Sequence, residues 1–156
     1  MDKKAVSVDL DNIDRRIIEI LRADGRKTVT DLAREVGISK TPCQNRMRKL
    51  TESGVIRGFR AIVDPATLGV DHIVYVEIGL SSTHESALAD FNAAVRRVPE
   101  IEECHMIAGS FDYLLKVRTI DMRRYRKVMG EKITNLPHVA TTSSFVVMEA
   151  VKEVNG

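Results

Sequence analysis

Apolar positions recur at helical spacing three times before residue 53 and at strand spacing after it. Leu10, Ile13, Ile17 and Leu21 fall at i, i+3, i+7 and i+11, with Ile20 beside them, marking one face of a helix. Asp11 is placed to cap that helix, Asp14 to favour its first turn, and Gly25 to end it. Val29, Leu32, Ala33 and Val36 form the buried side of a second, shorter helix. Thr28 and Asp31 have the spacing of a capping box at its start, and Gly37 stops it. Ile38 anchors the turn that follows. Ser39 is suited to cap a third helix reaching Ser53-Gly54, with Pro42 in its first turn, where the missing N–H costs little. The run VIRGFRAIVDP then reads as short strands bending at Gly58 and stopping at Asp64-Pro65, a β wing that leads into a linker near Leu68-Gly69.

The second half has a different rhythm. His72–Leu80 alternates as a strand, and Glu85–Val98 reads as a helix with Leu88, Phe91, Val95 and Val98 on one face. Ile101–Ala108 is a strand, Gly109-Ser110 a turn, and Phe111–Thr119 the next strand. Met122–Ile133 is a helix with Met122, Tyr125, Met129 and Ile133 inward, and Thr142–Val151 a last strand. The order βαββαβ is that of a ferredoxin-like sandwich, so the fold class is α+β: a winged helix-turn-helix over residues 1–64 and a sandwich over 65–156. Strand residues are apolar or small on both faces (Val74, Val76, Leu114, Leu115, Val146, Val147, Met148), and a second copy is expected to cover the sheet face without helices.

Charge divides along the same boundary. Residues 1–60 carry a net +5 and residues 61–156 a net −3; segment 40–60 alone sets six Lys and Arg against Glu52. A concentrated positive patch beside an acidic half suits a polyanionic partner for one part only. No apolar run approaches the ~18–20 residues of a membrane span, and the charged start lacks the apolar core of a secretory signal, so a cytoplasmic location is expected. Cys43 and Cys104 suggest no disulfide framework, and three Tyr, four Phe and no Trp leave little for stacking on single-stranded nucleic acid.

On the third helix Cys43, Met47 and Leu50 share the core face, and Thr41, Gln44, Asn45, Arg48 and Lys49 lie opposite. Gln and Asn match adenine edges, Arg matches guanine, and Thr meets a thymine methyl or a phosphate. Ser39 lies at the helix start, and Arg46 on its flank could reach a phosphate or brace the domain. Arg57 and Arg60 in the wing suit phosphates, which fix register. The bland alternative is a solvated charged face. The capped turn, the apolar stripe and the local charge agree on duplex DNA.

LDNIDRRIIEIL, DLAREVGISKTPCQNRMRKLTESGVIRGF and ECHMIAGSFDYLLKV together resemble the Lrp/AsnC (feast/famine) family of transcription regulators, over roughly residues 9–153. The ending PHVATTSSFVVMEAVKE is similar to the leucine-responsive branch, which includes proteobacterial activators of proline catabolism. The resemblance implies a regulator without catalytic activity that binds DNA as a homodimer, assembles into rings such as octamers, and responds to an amino acid, with proline and leucine as candidates. It implies that the effector binds between dimers near the loop before the third strand. Gly109, Asp112 and Tyr113 match the family's Gly-x-x-Asp-Tyr pattern, with Ser110 between them. His105 and Met106 approach from the preceding strand, and Thr142, Ser143 and Ser144 from the last one. Two departures bear on effector identity: Ser110 stands where leucine-responsive relatives often carry Asp, and Ser143 where close relatives carry a basic residue.

A zwitterion needs donors for its carboxylate, acceptors for its ammonium and apolar walls. Backbone N–H groups at Gly109-Ser110 and the Asp112 carboxylate meet the polar needs. The same residues also read as a tight turn with a positive-φ glycine and an Asp cap, and it is the resemblance that favours a pocket. Cys104-His105 lacks the spacing of a metal site, and Ser110 lacks a nucleophile elbow, so neither a metal nor an enzyme is expected. A basic cluster at Arg123, Arg124, Arg126 and Lys127 reads as a solvated face or a contact to wrapped DNA. Two rival functions remain: a nucleoid-structuring protein with little effector control, and an amino-acid-binding module that regulates an enzyme.

Overall fold

The computed structural model describes residues 9–152, which divide between Ala61 and Ile62 into two compact units. The first is a trihelical cluster: α1 (Asn12–Ala23), α2 (Val29–Val36) and α3 (Lys40–Glu52). Each start is set by local chemistry. Asp11 and Asp14 close a full capping box on α1, and the Thr28 hydroxyl accepts from the Asp31 N–H on α2. Gly37, at φ 74°, ends α2 in the left-handed region that a side chain resists. Ser39 begins α3 without a side-chain cap bond. Ile17, Leu32, Cys43 and Leu50 meet at the centre, nearly or fully excluded from solvent.

Gly25 does not end α1 as expected; Asp24 is the cap. Its glycine is explained by a close approach, since a Cβ there would stand 3.2 Å from the Phe59 ring. The wing strands are also absent. Residues 55–64 are extended or turned but pair with no other strand. Val55 and Ile56 pack partly against the helical core, but Phe59, Ile62 and Val63 are exposed, so the run beyond Gly58 has no buried face to fix a register, and a lone hairpin is marginal in water.

The second unit contains β1 (His72–Leu80), α4 (Glu85–Val95), β2 (Ile101–Met106), β3 (Tyr113–Thr119), α5 (Met122–Val128, continued by one π turn over Met129–Ile133) and β4 (Val139–Val146). The antiparallel sheet is ordered β2-β3-β1-β4, the ferredoxin-like topology. Val74, Val76, Ile78, Leu115 and Val117 pack against Phe91, Val95, Tyr125, Val128 and Ile133 from the helices. Val74, Val76 and Leu115 therefore lie on the covered face, while Leu114 and the neighbouring Tyr75 and Phe145 lie on the other.

Several boundaries move for identifiable reasons. α4 stops at Val95 because Pro99 disfavours helix just before it, though Val98 remains buried. β4 is paired by β1, so it runs from Val139, opposite Leu80, to Val146, opposite Val74, and ends before the expected Val151. Met122 is exposed rather than inward. The π turn inserts a residue, placing Val128 and Ile133 together in the core, and the Thr134 and Asn135 side chains take up the freed carbonyls of Met129, Gly130 and Glu131. Among the described residues, no helix is long and apolar enough to cross a membrane.

Candidate nucleic-acid interface and effector site

The exposed face of α3 carries Thr41, Gln44, Asn45, Arg48 and Lys49, and its opposite face is locked into the core by Cys43 and Leu50. Arg48 is held loosely: one N–H donates to Asn45 Oδ1 at 3.2 Å, and Glu52 lies 3.9 Å away with both side chains largely exposed. Such weak surface contacts can be exchanged for a base edge or phosphate at little cost. Lys40, beside Thr41, is exposed at the start of α3 and adds a cation to that end of the face; its position next to the cap was the signal that could have brought it into the expected set. Arg57 is exposed just beyond the helix, as is Ser39 before it.

Arg46 is different. Its guanidinium donates to Asp11 Oδ2 at 2.6 Å and Asp14 Oδ1 at 2.8 Å, joining α3 to the first turn of α1. The Asp14 backbone N–H and Arg46 together hold the Asp11 carboxyl below its usual range. Of the two roles open to Arg46, the structure gives it the brace. Both bonds use Nη1 and the side chain is 30% exposed, so a phosphate contact falls to the remaining N–H groups of the guanidinium.

The loop between β2 and β3 is pinned at its ends and open in its middle. Ile107 N–H donates to the Asp112 carbonyl at 2.8 Å, Asp112 N–H to the Ile78 carbonyl at 2.9 Å, and Leu80 N–H to Asp112 Oδ2 at 2.7 Å. Asp112 is thus a fixed carboxylate at the end of β1. Gly109 and Ser110 are exposed, and their backbone N–H groups make no hydrogen bond among the described residues. Gly109 is not in the positive-φ region, and a Cβ there would meet only Ile107 Cγ2 at 3.5 Å. This chain's own fold does not demand glycine at 109, so the tight-turn explanation loses its main support.

The remaining effector candidates fall on both faces of the sheet. Met106, Tyr113 and Thr142 share a row through Ile78 on the helix-covered face. His105 and Ser143 share the next row, through Leu114 and Glu77, on the open face. Ser144 is bonded to the Tyr125 hydroxyl. Tyr113 is buried under the helices with its ring 4.5 Å from that of Phe91. One chain therefore gathers the loop, Asp112 and Thr142 at one end of the sheet, and does not bring His105, Ser143 or Ser144 into the same cavity.

The two halves of this arrangement match two known domains: a winged helix-turn-helix DNA-binding domain over residues 10–57 and an Lrp/AsnC ligand-binding domain over residues 73–156. The chain belongs to the Lrp/AsnC family. It is 59% identical over 145 residues to the proline dehydrogenase transcriptional activator of Rhizobium radiobacter, covering 93% of each chain. It is 45% identical to the leucine-responsive regulatory protein of Escherichia coli K12, over 98% of this chain and 93% of that one. An AsnC family regulator from Agrobacterium tumefaciens superposes with a TM-score of 0.85 at 35% identity, over 92% of this chain and 94% of that one. A Neisseria meningitidis transcriptional regulator solved as an L-Met complex superposes at 0.84 with 27% identity, over 92% and 93%. As an Lrp/AsnC protein the chain is a transcriptional regulator and not an enzyme; the dehydrogenase in the relative's name is what that relative regulates.

Proposed function

We propose that this Lrp/AsnC regulator senses a free amino acid at the 107–112 loop and converts its binding into altered DNA contact. Proline is the first candidate and leucine the second. The observation that carries the reading is the loop itself: the exposed Gly109-Ser110 pair, whose N–H groups have no partner among the described residues, stands beside an anchored Asp112 carboxylate, with a glycine the fold does not need. Donors there suit a carboxylate, and the free oxygen of Asp112 suits an ammonium. His105 and Ser143, on the open sheet face, are placed to meet a second copy, consistent with a cytoplasmic homodimer built into a ring such as an octamer. Effector binding then acts by favouring one assembly or DNA geometry over another. The relatives named for proline dehydrogenase activation and leucine response, and the L-Met complex, support this class of effector.

Thermal stability measured against the common amino acids tests it. An effector at about 100 times its Kd stabilises by about 2.7 kcal/mol, a shift of a few degrees, and Gly109→Val removes the shift while leaving the dimer intact. A flat panel with and without DNA, together with a steep salt slope and no base preference, points instead to a nucleoid-structuring protein.

A further inference from the structure

Five of the ten Lys and Arg that follow residue 60 fall between Arg123 and Lys132, in a unit whose net charge is negative. They divide into two groups. Arg124 and Lys132 turn to Glu100, whose carboxylate accepts from them at 2.9 and 2.8 Å. Arg123, Arg126 and Lys127 are exposed at i, i+3 and i+4, on the face of α5 opposite the buried Tyr125 and Val128. Among the described residues Arg123 and Arg126 have no carboxylate within ion-pair distance. Lys127 has Glu131 at 3.9 Å, with both side chains more than half exposed, a contact of little strength.

The helix is not stabilised by these outer three. Beyond its Asp121 cap, α5 has no acidic residue in its first turn, and Arg123 there opposes the helix dipole, which favours anions at that end. Like charges at i, i+3 and i+4 also repel one another along the face. The neighbouring helix shows the opposite placement: Arg96 and Arg97 stand at the C-terminal end of α4, where the dipole favours cations. A local arrangement that works against its own helix, in a sequence whose caps otherwise agree with the fold, is expected at a functional surface.

An external anion is the partner that relieves this repulsion, and the side chains suit phosphate. Two of the three are arginines, whose planar fork donates bidentately to phosphate oxygens. The duplex bound through α3 is a polyanion tethered to this unit by the chain itself, with residues 62–71 spanning at most about 35 Å. Tethering holds the flanking duplex at high effective concentration. We infer that Arg123, Arg126 and Lys127 form a second DNA contact, which grips phosphates of the duplex flanking the segment read by α3. This contact adds affinity and footprint length without reading bases, and it does not depend on the effector loop.

Binding of the full-length protein is measured against salt on two duplexes. One is a site of about 20 bp that the protein selects from random sequence, enough for two half-sites a helical turn apart. The other carries the same site at the centre of a duplex about three times as long. On the long duplex, Arg123→Gln/Arg126→Gln/Lys127→Gln lowers the log–log salt slope by up to about 2.7 per protomer, at about 0.9 per phosphate. Between about 50 and 200 mM salt, that slope amounts to about a 40-fold difference in how far affinity falls. The short duplex shows no change, Tm is not lowered, and Arg123→Lys/Arg126→Lys keeps the wild-type slope. Gly130, exposed one turn beyond Arg126 with open space around a Cβ, takes a cross-linker. Gly130→p-benzoylphenylalanine then attaches to flanking base pairs of the long duplex. An unchanged slope on the long duplex overturns the proposal. An equal loss on both lengths overturns it in favour of the site at α3, and so do cross-links that are absent or confined to the selected site. If poly-L-glutamate binds the wild type and not the triple variant while the DNA slope is unmoved, the face takes an acidic protein and the proposal falls.

Discussion

Arg46 and Arg48 are two residues apart on one helix, and the helical period sets Arg46 on the flank and Arg48 on the outer face without assigning Arg46 its contact. What separates them is a contact 32 residues away in the chain: Arg46 closes on Asp14, whose side chain is 8% exposed, while Arg48 stands 69% exposed. Removing Arg46 leaves a nearly buried carboxylate without its cationic donor, with the Asp11 backbone N–H at 3.4 Å still in place. Arg46→Met is therefore expected to destabilise the helical unit by about 1–3 kcal/mol, read as a lower urea midpoint. Arg48→Ala is expected to leave that midpoint unchanged and to weaken specific DNA binding by about 1–3 kcal/mol with relaxed preference at one base pair. A uniform loss across all sequences would make Arg48 a phosphate contact. If Arg46→Met instead impaired DNA binding at full stability, the brace would be the wrong role.

At the scale of elements, Glu100 shows how the helical layer is fastened to the sheet. It precedes β2, its carboxylate accepts from Lys132 in the π turn at 2.8 Å and from Arg124 in α5 at 2.9 Å, and its carbonyl accepts from the Arg118 N–H of β3. Burial pushes the Glu100 carboxyl up, but the Lys132 and Arg124 bonds outweigh it, and the net pKa is below the ordinary 4.5. A depressed carboxylate contributes stability that is complete above the unfolded pKa and disappears as pH falls through the folded one. Glu100→Gln should cost about 1–2 kcal/mol at pH 7, with the difference from wild type shrinking below about pH 4.5. Urea midpoints at pH 7 and pH 3 test this, and an undiminished gap at pH 3 would refute the ionic origin. The Lys132 and Arg124 contacts were not legible in the sequence, because they join residues 24 and 32 apart. Caps and apolar periods were legible, since Asp11, Thr28, Gly37 and the alternation of His72–Leu80 act over a few residues. The ends of β4 and the π turn were not, being set by the length of β1 and by the register of Val128 and Ile133. In the candidate site, the Gly-x-x-Asp-Tyr run located the loop, but the fold decides which face each residue meets. Tyr113 turns under α4, and Ser144 goes to Tyr125.

The two units have separate cores that share no residue: one around Ile17, Leu32, Cys43 and Leu50, the other around Val76, Phe91, Leu115 and Ile133. They also carry opposite net charge, +5 before residue 61 and −3 after it, so the net attraction to a polyanion is concentrated in the first. A helical unit of about sixty residues buries only about 60% of its unfolded surface and has little stability to spare. Deleting buried methyl groups there should unfold it alone. Leu50, 1% exposed, lies where α3 meets the core, and Leu50→Ala is expected to cost about 2–5 kcal/mol. Calorimetry of that variant should show a lowered helical-unit transition with the sandwich transition in place. Between the two temperatures the protein should bind its effector and fail to bind DNA. Leu115→Ala should do the converse in the second core, lowering the sandwich transition and removing the effector-induced shift first. One cooperative transition that moves as a whole in both variants would mean that the units stabilise each other, which would give the proposed effector a route to the DNA-binding helices through stability besides the proposed change of assembly.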